Sequence, residues 1–417
     1  MAVEAGSRSN LLRHRDFLKL WTGQTISVFG SQFTAIALPL IAAISLRAGP
    51  IEFGILNALG TVPFLLFGLV VGVWVDRWPR RPIMIVGDIG RGVIVGVIAF
   101  LAATNRLAIL HLYVTAFAAG VLTVFFDVAY QAYLPSLVDR RQLVEANSKL
   151  EITRAASQMA GPSLGGVIVQ VLSASAAMIL DAISFFVSGA FLATIRRKEE
   201  LPKEPRRSMV ADVKEGLGTV FGEPRLRAIA GCTATSNFFN AAVFALYILF
   251  AVDVLALTPL EIGLVFGIGS VGSLIGAVLA ERLAKRFGVG PVIVWGAILF
   301  GLAGAVVALA FGPFRTVVLI LGFILIGIGA LVYNVNQVSL RQAITPNRLQ
   351  GRMNATMRFL VWGTLPLGSI FGGVLGALMG IREAIALASV GGLLAFLWVA
   401  FSPVSALQRI PELPAEA

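Results

Sequence analysis

Asp88, Arg91, Asp127, Glu151, Arg154, Asp181 and Arg358 stand inside otherwise apolar stretches of this chain. A carboxylate or guanidinium in such surroundings must be paired, hydrated or, for the acid, protonated, and is a functional candidate by default. Asp127 is the sharpest case. In LTVFFDVAYQAYLP it lies 8 residues before Pro135, roughly 12 Å inside a helix end at helical rise. Three roles are open to it: a partner of Arg80 or Arg77 in a structural and gating network, a proton carrier, or a wall residue of a wet vestibule. Asp181, in MILDAISFF, has no partner nearby in sequence. It is open as a proton site, as an anchor near an interface, or as the partner of a distant residue. Glu151 and Arg154 sit at i,i+3 and neutralise each other. Asp88 and Arg91 share that spacing and pair with each other or join the Asp127 network.

Other chemistries lack their residues. A single cysteine, Cys232, leaves no internal disulfide and no cysteine metal cluster. The two histidines, His14 and His111, are far apart. The sequence contains no P-loop, no HExxH and no paired-histidine site. The expectation is a protein with no metal, no cofactor and no ATP hydrolysis of its own, and not an enzyme.

The elements that position these groups follow from composition. Of the 417 residues 57% are hydrophobic and only 13% charged, with mean hydropathy +0.88, whereas a soluble protein carries about 25% charged residues. The solvent is therefore a bilayer, crossed by helices of about 20 apolar residues that satisfy their own backbone groups. Twelve apolar segments fall near 17–46, 53–75, 83–104, 109–134, 146–171, 175–195, 226–251, 258–281, 291–311, 315–340, 353–379 and 383–402. The first follows a basic start but is long and contains Gln24 and Gln32, so it is expected to be an uncleaved membrane helix.

A net charge of +11 suggests nucleic acid until the charges are located. Basic residues cluster after segments 2, 4, 6, 8 and 10, and the opposite loops hold at most one each. This bias places both termini in the cytoplasm of a cell-membrane protein. The partners it implies are membrane lipids, not nucleic acid.

The longest polar stretch, 196–225, divides six segments from six. It predicts a first bundle over 1–200, a linker over 201–225 and a second bundle over 226–417. In the linker, Met209, Val210, Val213, Leu217, Val220 and Phe221 have helical spacing, as in a short amphipathic helix. Gly165-Gly166-Val167-Ile168 recurs as Gly372-Gly373-Val374-Leu375. Parallel repeats of six helices place a cavity between the halves, as in transporters.

The stretch GVWVDRWPRRP interrupts two apolar runs with four charges. It resembles the signature loop between helices 2 and 3 of the major facilitator superfamily: Gly72, Asp76, Arg77, Arg80 and Arg81. The resemblance implies a conformational latch. Gly72 would allow close helix approach, Asp76 would face a helix N-terminus, and the arginines would hold carboxylates, with Asp88, Arg91 and Asp127 in the same network. A plainer reading is cytoplasmic retention by arginines around a turn at Pro79. The second half repeats the loop poorly, with Ala280 where the aspartate should be.

In ASQMAGPSLGGVIVQ, Gly161, Pro162, Gly165 and Gly166 resemble the exporter signature of that superfamily. A plainer reading is a proline kink with small-residue packing. The arginine that many proton-coupled members carry in helix 4 is missing here, which leaves Asp127 and Asp181 as proton-coupling candidates. Nearly the full chain resembles the branch containing the enterobactin exporter and macrolide efflux proteins. That resemblance implies an all-α membrane protein of twelve helices in two six-helix bundles. It also implies a cavity lined by helices 1, 4, 7 and 10. Their candidates are Gln24, Gln32, Gln131, Asn237, Phe238, Asn240, Asn334, Asn336 and Gln337, each equally readable as interhelical glue. Amides with aromatics suit an amphipathic organic solute. The expected function is multidrug-type export by proton antiport and alternating access, as a monomer. The alternative is a proton-coupled uptake symporter for a small organic solute.

Overall fold

The computed structural model describes residues 11, 14–68, 70–75, 77–196, 199 and 209–411. It is helical throughout, with no strand among the described residues. Helix 1 is Arg15–Ser45, and helix 2 is Pro50–Phe67 continuing as Val70–Val75. Helices 3 to 6 are Arg80–Ala103, Ile109–Leu137, Leu143–Val171 and Ala174–Ala193. After the linker helix, Met209–Gly222, helices 7 to 9 are Pro224–Val254, Pro259–Phe287 and Val289–Ala308. Helices 10 to 12 are Arg315–Ile344, Asn347–Met379 and Ile381–Ala400. Eleven of these are long and apolar enough to cross a membrane. Helix 5 falls short of that criterion because Glu145, Lys149, Glu151 and Arg154 crowd its first half.

Local signals set the starts of the helices. Pro50 and Pro259 each occupy the first turn of a helix, where a missing N–H costs nothing. Thr258 and Glu261 close a reciprocal capping box at the start of helix 8. The linker helix packs on helix 11 with Val220 buried and Phe221 exposed.

The packing repeats between halves. Helix 1 lies on helices 5 and 6, helix 3 on 4 and 6, and helix 2 on 4. In the second half helix 7 lies on 11 and 12, helix 9 on 10 and 12, and helix 8 on 10. The halves touch mainly where helix 2 meets helix 11 and helix 5 meets helix 8. At this end one apolar core runs through both, from Leu40, Ile41 and Phe53 to Leu246, Tyr247 and Phe250. At the opposite end, where the basic loops lie, the core splits. Phe17, Val75, Tyr133 and Leu192 form one cluster, and Ile229, Leu340, Met353 and Val404 form another. The halves are joined at one end and splayed at the other.

Candidate functional site: the cavity between the halves

Three adjoining cavity lobes open between the splayed clusters, of about 580, 310 and 400 Å³. The first lies in the first half, against Gln24, Tyr130 and Gln131 and the polar start of helix 5. The second lies between the halves, with Asp127 and Gln131 of helix 4 facing Asn354, Arg358 and Trp362 of helix 11. The third lies in the second half, against Thr233, Asn334, Gln337 and Arg341. Shared wall residues join them: Asp127 and Gln131 belong to the first two, and Asn354, Arg358 and Trp362 to the last two.

The charges on the walls are divided. The first half supplies Asp127 and the Glu151–Arg154 pair, joined at 3.1 Å. The second half supplies Arg341, nine-tenths buried, and Arg358, whose guanidinium lies 5.2 Å from the Trp362 ring centre. Asp127 makes no ion pair among the described residues. It is a wall residue of the cavity, with Arg358 across the lobe between the halves. The expected pairing with Arg80 or Arg77 is not seen, because both arginines belong to the loop outside the cavity.

The amides sort by helix rotation. Gln24, Gln131, Asn334 and Gln337 line the cavity, and Gln337 donates to Asn334 at 2.8 Å. Others hold helices together. Asn336 is buried and donates to the Val332 carbonyl at 2.9 Å and to Ala280 of helix 8 at 3.3 Å. Asn237 reaches the Val361 carbonyl of helix 11 at 3.4 Å. Gln32 packs on Gly161 of helix 5, and Phe238 packs on Phe239 and Phe371. Asn240 lies in a small crevice within the second half.

Asn354, Arg358 and Trp362 were absent from the expected cavity residues. Their signal was in the sequence: Gly351, Asn354, Ala355, Arg358 and Trp362 recur at i,i+3 and i,i+4, which is one face of helix 11. The family pattern lines the cavity with helices 1, 4, 7 and 10 and gives helix 11 no part in it.

Around the charged loop, Asp76 lies outside the described residues. A Cβ at Gly72 would meet nothing within 4 Å, so Gly72 makes no close helix contact in this conformation. Arg77 is exposed. Arg80 is buried and pairs with Glu199 at 3.0 Å. The same carboxylate accepts the Arg80 backbone N–H at 2.7 Å, capping helix 3. Arg81 donates through Nε to the Leu192 carbonyl at 2.8 Å and through a terminal nitrogen to Ala193. The loop is thus tied to the end of helix 6 and the start of the linker. Glu199 carried no sequence signal, being more than a hundred residues from Arg80 in a lysine- and glutamate-rich run.

The exporter-like motif sits where helix 5 meets helices 1 and 8. Gly161 and Gly165 face Gln32 and Phe33 of helix 1, while Gly166 faces Gly263 of helix 8. A Cβ on Gly166 would fall 2.6 Å from the Pro259 carbonyl and 3.0 Å from the Gly263 Cα. Helices 2 and 11 make the same crossing: a Cβ on Gly373 would fall 2.7 Å from the Pro50 carbonyl and 3.0 Å from the Gly54 Cα. These two backbone contacts close the cavity's far end. Asp88 and Arg91 pair at 2.6 Å, and Asp181 is buried beside helix 1. No group of three or more metal-ligating side chains occurs among the described residues.

A fold of twelve helices in two repeated bundles around one central cavity is that of a membrane transporter. The Major Facilitator Superfamily model matches residues 20–364 and 231–417, and the chain belongs to that family. It is 27% identical over 372 residues to the multidrug efflux pump Tap of Mycolicibacterium fortuitum, covering 85% of this chain and 87% of Tap. It is 26% identical over 395 residues to the enterobactin exporter EntS of Salmonella typhimurium, covering 92% and 90%. The macrolide efflux protein A of Streptococcus pyogenes is 24% identical, with 63% of this chain and 65% of that protein covered. Against the uncharacterised Bacillus subtilis transporter YfiS, the chain spans about half of that relative's length. Among solved structures, a bacterial homologue of the iron transporter ferroportin in its inward-facing state superposes with a TM-score of 0.72. That structure is 20% identical and covers 94% of this chain and 98% of its own, so it shares the fold.

Proposed function

We propose that this transporter exports amphipathic organic compounds across the cell membrane by proton antiport and alternating access. In this reading the splayed end faces the cytoplasm, with both termini on that side, and the chain works as a monomer. The observation that carries the reading is a cavity with Asp127 and Arg358 on opposite walls, open between the halves at one end and closed at the other by two glycine crossings. A compound enters from the splayed end, lies among Tyr130, Trp362 and the amides, and leaves when the crossings part. The mixed walls suit a solute with an apolar body and a polar or charged tip. The efflux names of Tap, the macrolide efflux protein and the enterobactin exporter support outward direction.

The charged loop keeps its latch role with altered partners. Arg80 and Arg81 hold the first half together through Glu199 and helix 6, leaving Arg77 exposed for state-dependent contacts. The test is purified protein in liposomes with a pH-sensitive dye inside, an imposed proton gradient, and macrolides, cationic dyes and catechol siderophores added singly. Proton flux triggered by a compound, against that compound's movement, supports antiport and names the class. Compound-driven proton entry in the same direction as the compound would make it a symporter. Compound movement without proton flux would remove protons from the cycle.

A further inference from the structure

Asp181 lies behind helix 1 and belongs to none of the cavity lobes described above. It is only 1% exposed. The Ser184 hydroxyl donates to its Oδ1 at 3.1 Å. From helix 1 it is faced by Thr34 and by Gly30, where a Cβ would fall 2.8 Å from that oxygen. The charged groups in electrostatic range are Arg91 and Asp88 of helix 3; helix 5 contributes none among the described residues.

Arg91 is engaged elsewhere. It pairs with Asp88 at 2.6 Å, donates to the Gly87 carbonyl at 3.2 Å, and lies 4.4 Å and 4.5 Å from the Phe126 and Phe185 ring centres. Within the closed pocket Asp88 and Asp181 thus have one guanidinium between them, already paired with Asp88, so one negative charge is left without a contacting cation; Asp127, on the cavity wall, also lies in the electrostatic range of Arg91. An ionised buried carboxylate without a cation is strongly disfavoured. The cluster also keeps spare hydrogen-bonding capacity. The Ser188 hydroxyl lies beside the Asp88 carboxylate, both on fully enclosed side chains, and neither Asp88 Oδ2 nor that hydroxyl has a well-formed hydrogen bond to any other described group.

We propose that Asp88, Arg91 and Asp181 form a buried one-proton site, with the proton held on the Asp181 carboxyl while Arg91 is engaged by Asp88. The step is a simple association: one proton from water joins the Asp181 carboxylate, and the cluster passes from one net negative charge to none. Release of the proton leaves a carboxylate that draws Arg91 out of its aromatic slot. One wall of that slot, Phe126, also lines the first cavity lobe, next to Asp127. Gly30 connects the site to helix 1, which presents Gln24 to the same lobe. Proton and transported compound thus occupy separate sites that share Phe126 and helix 1, and Asp127 remains free for the compound.

This inference rests on the antiport reading but is tested without transport. Infrared difference spectra of the full-length protein in lipid nanodiscs, recorded over a pH series with no compound added, read the carbonyl stretch of a protonated carboxyl. The expected result is a protonated band that is present at mildly acidic pH, fades as pH rises, is lost in Asp181→Asn and is kept in Asp127→Asn. Ser184→Ala shifts its frequency, because a hydrogen bond to the carboxyl is removed. Asp88→Asn also abolishes the band, since Arg91 then turns to Asp181 and keeps it ionised. A band that survives Asp181→Asn, one that is absent from the unsubstituted protein, or one unmoved by Ser184→Ala overturns the proposal. If Asp181→Asn does not fold, Ser184→Ala and Asp88→Asn decide it. A band that behaves as expected, in a protein whose compounds drive no proton flux in liposomes, would sink antiport while leaving the site standing.

Discussion

Asp127 and Arg358 face one lobe from opposite halves, so a solute entering that lobe would meet both side chains at once. A hydrogen bond to a charged group contributes about 1.5–3 kcal/mol, which corresponds to about a ten- to hundredfold change in affinity. Asp127→Asn should therefore weaken transport of a cationic dye by about tenfold or more at subsaturating concentration. Arg358→Gln should do so for an anionic compound instead. Initial rates in liposomes check both, and equal losses for both compounds in either variant would remove the charge argument. The same scale shows what sequence reading misses. Gln131 and Gln32, or Asn334 and Asn336, are alike in type and setting, yet one of each pair lines the cavity and the other fastens helices. Only the rotation of each helix against its neighbours separates them, and an apolar run of this length leaves that rotation unmarked. The motif marked Arg80 as an arginine that holds a carboxylate, but that the partner is Glu199 depends on where the chain returns after helix 6.

The helices themselves were largely legible, because a bilayer demands long apolar runs and basic loops punctuate them. What was not legible was the end of the first stretch of helix 2 at Gly68, or how polar helix 5 is. The glycine crossings belong to this scale. Gly166 and Gly263 on one side, and Gly54 and Gly373 on the other, bring backbones together where no side chain fits. A valine at Gly166 or Gly373 overpacks its crossing by about 1–3 kcal/mol, favouring the conformer in which that end is parted. Spin labels at Arg106 and Phe311, one in each half near the closed end, should show a longer distance distribution in either variant. An unchanged distribution in both would mean that the crossings do not set the equilibrium.

At the scale of the whole molecule, the polar stretch 196–225 is fastened to both halves. Glu199 pairs with Arg80 of the first half, and Glu215 pairs with Arg348 at 2.7 Å and with Arg352 in the second. The two anchors differ in burial. Breaking a buried pair by neutralising one member costs about 3–5 kcal/mol, while an exposed pair contributes about 1 kcal/mol or less. Glu199→Gln should therefore lower the thermal midpoint in detergent clearly, and Glu215→Gln only slightly. The reverse order would show that the linker's hold on the second half matters more. The internal repeat was readable in Gly165-Gly166 and Gly372-Gly373. That Gly166 meets Pro259 and Gly263, and Gly373 meets Pro50 and Gly54, followed only once the halves were placed together.

The two ends of the transporter are also built from different forces. One is shut by apolar side chains and bare backbone, with glycine against glycine. The other is bordered by guanidinium–carboxylate contacts partly open to water. Ions screen exposed charge pairs over about 8 Å at physiological strength but scarcely affect dry van der Waals contact. The pair of states should therefore respond unequally to its surroundings: added salt loosens the splayed border and leaves the far seal intact. Bilayer compression, acting on helix crossing rather than on charge, works on the seal instead. Lipid composition would then govern when the sealed end parts, largely independently of the ionic strength at the splayed end.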